Sequence, residues 1–140
     1  MGRVFFGVRD NVHSITADYQ ALAGDSGKNF YMNAAAGATL TLPAVADAQE
    51  GWNCTVTVAT VTTSNNYIIT EKTASDTNII ISLMSILEID TNDDGLTDTG
   101  HTTITFEGTP ALGDHVRITT DGTKYYAVGL GVSDDFVALA

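Results

Sequence analysis

The chain has 140 residues, with 17 acidic and 6 basic side chains, a net charge of −11 and one cysteine. That length suits one domain burying about two-thirds of the surface its unfolded form exposes, and a single cysteine excludes an internal disulfide. No basic cluster exists to neutralise phosphates, no run reaches the roughly 18 apolar residues of a membrane span, and the N-terminus lacks the apolar core of a signal peptide. These features predict a protein made and used in solution, with neither nucleic acid nor membrane as a partner.

The opening, MGRVFFGVRDNVHS, alternates Val4, Phe6 and Val8 with Arg3, Phe5 and Arg9. Such alternation gives a strand with one apolar face, and terminal segments stay loose unless something ties them down. Residues 1–14 are therefore read as a first strand or a docking arm, and 15–140 as the β domain. Ile15 to Gly24 offers no more than a helical turn. Asp25-Ser26-Gly27 is a turn, with a side-chain oxygen for the local backbone and a glycine for positive φ. Phe30 and Met32 then alternate with Tyr31 and Asn33. After the small residues Asn33 to Gly37, Thr39-Leu40-Thr41-Leu42 forms a second strand, stopped by Pro43, which cannot donate to a ladder. Pro43 to Gly51 is an acidic connection with room for a short helix, and Trp52 opens the next strand. There Cys54, Val56 and Val58 face one way while Thr55, Thr57 and Ala59 face the other, which assigns Cys54 to the core.

Tyr67-Ile68-Ile69-Thr70 is a further strand after a polar turn. Ile79 to Ile89 is the most hydrophobic run, apolar on both faces, which predicts burial on both sides; a buried helix is the alternative, but the β-branched isoleucines favour one long or two broken strands. A surface strip of that size is abnormal on a soluble monomer, so Ile79, Ile81, Leu83 and Ile86 are candidate contacts between copies. Asp90, Asn92, Asp94 and Gly95 match the start of a calcium loop, with Asp98 at position nine, but His101 stands at position twelve where a bidentate Glu belongs. The expectation is a solvated acidic connection without a resident metal or cofactor, the alternative being a weak calcium site at Asp90, Asn92, Asp94 and Asp98. In the closing third, Ile104 and Phe106 oppose Thr103 and Thr105, Val116 and Ile118 form another face, and Asp121-Gly122 between two alternating strands signals a tight hairpin. Phe136 to Leu139 is a last edge strand or a tail that packs on a neighbour.

Catalytic chemistry has little to work with in this sequence. His13, His101 and His115 are scattered without a second ligand at metal spacing, Cys54 has no cation beside it to lower its pKa, and no pair of carboxylates or Gly-rich phosphate loop is indicated. An all-β fold of about eight to ten strands, an antiparallel barrel or sandwich, is expected from the turn spacing, acting by binding and not as an enzyme.

Several of these phrases form a resemblance. Asp25-Ser26-Gly27-Lys28, Asn33-Ala34-Ala35, Leu40-Thr41-Leu42-Pro43 and Gly51-Trp52, followed by Thr102 to Phe106, Gly113 to Val116 and Asp121 to Tyr126, resemble the capsid decoration (cement) proteins of tailed bacteriophages over roughly residues 14 to 130. Similar phrases occur in phage tail-fibre and receptor-binding modules, the alternative reading, and a small glycan-processing enzyme is a third. What the resemblance implies is a homotrimer on the outer capsid surface of the virion, made in the host cytoplasm. It would clamp adjacent major capsid protein subunits of the expanded head. Arg3, Val4, Phe5, Phe6, Val8 and Arg9, an apolar patch with basic edges on an acidic chain, are then the candidate capsid contacts.

Overall fold

The computed structural model describes residues 11–73, 79–86, 96–107, 110–132 and 138–140, the side chains at 86 and 96–99 excepted. Its strands are β1 (Val12–Ile15), β2 (Tyr19–Gln20), β3 (Lys28–Met32), β4 (Ala38–Leu42), β5 (Asn53–Val58), β6 (Tyr67–Glu71), β7 (Ile80–Ile86), β8 (Leu96–His101), β9 (Thr103–Phe106), β10 (His115–Thr120), β11 (Tyr125–Gly131) and β12 (Ala138–Leu139). A 3₁₀ turn at Ala23–Asp25 and a single α-helical turn, α1 (Val45–Ala48), connect strands within the described residues. Both fall where the sequence left room for no more than one turn.

The strands form two facing layers, a seven-stranded sheet in the order β1-β3-β5-β10-β11-β7-β8 and a five-stranded sheet in the order β12-β9-β6-β4-β2. From β1 to β6 the chain alternates between them, so each strand lies beside the one laid down two elements earlier. Those pairings are parallel. Val12 sits opposite Asn29 and Lys28 opposite Cys54 in one sheet, and Tyr19 opposite Leu40 and Ala38 opposite Tyr67 in the other. The first half is thus three coils of a two-strand winding. The purely antiparallel arrangement expected from the sequence is corrected here, because both sheets are mixed. Antiparallel pairing is confined to β10 with β5 and β11, β7 with β8, and β9 with β6 and β12, while β7 runs parallel to β11. Alternation fixes which face a side chain takes but not which way the neighbouring strand runs. The short connection after Met32 crosses to the other sheet and does not reverse within its own, so β3 and β4 never pair.

Successive coils touch at their corners. Gly37 takes φ 85° in the corner between β3 and β4. The next coil's loop rests on that corner, with Thr63 N–H donating to Ala35 O at 2.8 Å and Asn65 Nδ2 to Ala36 O at 2.9 Å. At the other end, the Asp25 carboxylate accepts from Lys28 Nζ at 2.7 Å, Leu22 N–H at 2.8 Å and the Tyr19 hydroxyl at 3.1 Å, tying the turn before β3 to β2.

Between the layers lies one apolar core. Phe30, Met32, Val56, Ile118, Ile80 and Met84 come from the larger sheet and Leu40, Leu42, Ile69, Ile104 and Phe106 from the smaller, all buried. Cys54 is buried with them, as its alternation predicted. Trp52 meets the Tyr125 ring edge-on at 5.9 Å, and the Tyr125 hydroxyl donates to Pro43 O at 2.7 Å, linking the layers. The hairpin expected at Asp121-Gly122 joins β10 to β11, Gly122 taking φ 88°. Its Asp121 carboxylate accepts from Thr123 Oγ1 at 2.7 Å, Thr123 N–H at 2.8 Å and Lys124 N–H at 2.9 Å. Those bonds hold Asp121 well below the usual carboxylate range.

The apolar run 79–89 is a strand over Ile80–Ile86, but it is not buried on both sides. Ile80, Ser82 and Met84 point into the core, and Leu83 on the opposite face is exposed. Among the described residues, β8 is the strand that follows β7 in this sheet, and no third layer covers the sheet's outer side.

Candidate functional site

Among the described residues, the histidines, the cysteine and the buried carboxylates each have a local structural role. His13 stacks on Tyr19 with centroids 4.1 Å apart and meets Phe30 edge-on at 5.9 Å. His115 Nδ1 lies 3.0 Å from Gly113 O. His101 Nε2 and Ser82 Oγ are 2.8 Å apart, a nucleophile–base distance, yet both residues are buried between the sheets, out of reach of a substrate. Burial pushes the Cys54 thiol far up, the opposite of an activated nucleophile. Asp114 and Glu71, the other buried carboxylates besides Asp25, accept from Ala111 and Val132 N–H and from Thr73 respectively. Among the described residues no three His, Cys, Asp or Glu side chains come together as a metal site. Asp90, Asn92 and Asp94 lie outside the described residues; Asp98 falls in β8, its side chain not described.

Among the described residues, concavities open at the ends of the layers, two of which bear on function. One of about 510 Å³ is lined by Asp18, Gly37, Thr39, Asn65 and Asn66, and Asp18 Oδ1 is occupied by Thr39 N–H at 2.8 Å. The other, about 360 Å³, lies between α1, Glu71 and the β10–β11 turn. Neither gathers convergent, unoccupied polar groups.

The surface that stands out is the outer face of the seven-stranded sheet. On β11 the usual amphipathicity is inverted: Tyr125, Ala127, Gly129 and Gly131 face inward, while Tyr126, Val128 and Leu130 face outward. The cause is a neighbour on β7. The Met84 thioether fills the space that a β-carbon at Gly129 would need, so the core is closed by methionine against glycine and the bulky residues of β11 are left outside. Parallel register then sets Tyr126 beside Ile81 and Val128 beside Leu83. Val128 is 56% exposed, Leu83 52% and Tyr126 40%, a contiguous apolar strip. Across β1, β3, β5, β10, β11 and β7 the outward positions hold no carboxylate, and Arg117 is the one formal charge. On a chain of net charge −11, this face is distinct from the rest.

Of the candidate contacts between copies, Ile81 and Leu83 stand on this strip, Ile79 packs against the core ahead of β7, and the Ile86 side chain is not described. The candidate capsid contacts Arg3, Val4, Phe5, Phe6, Val8 and Arg9 lie outside the described residues. Sequence reading missed Tyr126, Val128 and Leu130. The signal was present in the alternation of Gly129 and Gly131 with Val128 and Leu130, which leaves the bulk on one side only.

No family model, curated protein or solved structure matches this chain.

Proposed function

We propose that this chain is a structural protein of a tailed-bacteriophage particle, a decoration protein that self-associates, as a trimer, and binds the outer surface of the expanded head. The observation that carries the reading is the exposed Leu83–Val128 strip, on a sheet face whose outward strand positions from β1 to β7 hold no carboxylate and whose nearest described one, Asp121, sits in the β10–β11 turn and accepts from the Tyr126 hydroxyl at 3.0 Å. Apolar surface of this kind marks an interaction site, and two copies of a strongly acidic chain repel least where neither brings a carboxylate. The small β fold, the occupied polar side chains and the resemblance of the strand-and-turn phrases support it as well. Binding to the expanded shell alone stabilises that shell by mass action, since a ligand of one state shifts the equilibrium toward it.

Heads purified without this protein provide the test. The expected result is saturable binding in many copies and a higher temperature of DNA release. Failure to bind heads together with adherence to host cells would overturn the decoration reading in favour of a receptor-binding module.

A further inference from the structure

We propose that the corner between β8 and β9, at Thr102 and Thr103, is a binding site for a peptide α-carboxylate, with Ala140 of the same chain as its ligand.

Consecutive N–H groups of a regular strand point to opposite sides. At Thr102 the chain leaves the seven-stranded sheet for the smaller one, since β8 ends at His101 and β9 begins at Thr103. The bend turns two neighbouring donors to one side, so that Thr102 N–H and Thr103 N–H both donate to Ala140 O at 2.7 Å. The hydroxyls of the same residues join them, Thr102 Oγ1 at 3.0 Å and Thr103 Oγ1 at 3.2 Å. Successive N–H groups aimed at one point form a concavity suited to an anion.

The number of donors decides the charge of the ligand. An antiparallel ladder explains one of the four, since Ala140 N–H donates to Thr103 O at 3.2 Å and Thr103 N–H returns the bond. The Thr102 N–H and the two hydroxyls are additional. A neutral carbonyl oxygen has only two lone pairs to offer them, whereas an ionised carboxylate takes charge-assisted bonds about twice as strong as neutral ones. In the 140-residue chain this oxygen belongs to the α-carboxylate of Ala140.

The residues before the carboxylate give the ligand its shape. Ala138 pairs with Thr105 and Leu139 with Ile104, antiparallel, and Leu139 packs against the core. The ligand is thus an extended segment laid along the side of β9 turned away from β6, with a small last residue whose carboxylate enters the corner. Strand addition and carboxylate capture are combined in one contact. β12 is only two residues long, so much of its attachment falls on the corner.

The test changes ligand and site separately in the full chain. Preparing Ala140 as its α-carboxamide by peptide ligation keeps the shape of the group and removes its charge. Native-state hydrogen exchange at the Thr102 and Thr103 amides should become about 10- to 100-fold faster, while Val56 and Ile118 in the β5–β10 ladder keep their rates. The same amidation in a chain carrying Thr102→Val and Thr103→Val, which lacks the hydroxyls but keeps both N–H groups, should have a smaller effect. Equal exchange at 102 and 103 in the acid and amide forms overturns the site. An acceleration that also reaches Val56 and Ile118 is a global loss of stability and overturns the assignment to this corner. An effect undiminished in the valine background removes the hydroxyls from the site and refutes its four-donor form.

Discussion

Gly37 offers a direct measure of how closely the coils of the winding stack. Gly37 and Gly27 have nearly the same backbone, φ 85° and 84°, but different surroundings. A β-carbon at 27 would meet nothing within 4 Å, whereas one at 37 would lie 2.7 Å from Asn66 O and 2.8 Å from Asn65 O and Asn65 Cβ. Gly27→Ala should therefore incur only the left-handed backbone cost, about 1–2 kcal/mol. Gly37→Ala adds a steric conflict with backbone that cannot swing aside, about 1–3 kcal/mol more by analogy with overpacked cores, for a total of about 2–5 kcal/mol. With a urea m-value of about 1–3 kcal/mol/M, the unfolding midpoint followed by circular dichroism should fall distinctly further for Gly37→Ala. Equal midpoints for the two variants would refute the close approach of the Thr62–Asn66 loop to the β3–β4 corner, and with it the tight stacking of the second coil on the third.

Three further outcomes are expected. Burial pushes the Asp25 carboxyl up, but bonds from Lys28, Leu22 and Tyr19 outweigh it and leave the folded value lowered. Its contribution is thus complete above the unfolded carboxylate value of about 3.9 and is lost as pH falls through the lower folded value; Asp25→Asn should lower Tm at neutral pH and make the acid limb of a Tm–pH profile shallower. Tyr125→Phe strands Pro43 O inside the protein and should cost about 1–2 kcal/mol in urea unfolding, while the ring that Trp52 contacts remains and the native tryptophan fluorescence stays unchanged. Cys54, buried and with its thiol raised, should resist thiol reagents at pH 8 until denaturant is added; rapid native labelling would contradict its place in the core.

What the sequence determined by itself is local. The period-2 runs placed Cys54, Val56 and Val58 inside, Asp25-Ser26-Gly27 and Asp121-Gly122 announced their turns through side-chain oxygens and positive-φ glycines, and Ile81 and Leu83 belonged to a run too apolar to ignore. Each depends on the geometry of a few consecutive residues, where side chains alternate across a pleat. Tertiary structure decided the rest: that β1, β3 and β5 run parallel, that the β10–β11 hairpin enters between β5 and β7, and that Val128 and Leu130 face outward. A strand's pattern says which side is apolar, but its partner and direction follow from contacts between residues far apart in the chain. On β11 the core takes Gly129 because Met84, 45 positions earlier, already fills that space; close packing leaves no room for two side chains in one volume, so the bulk of the strand is turned outward.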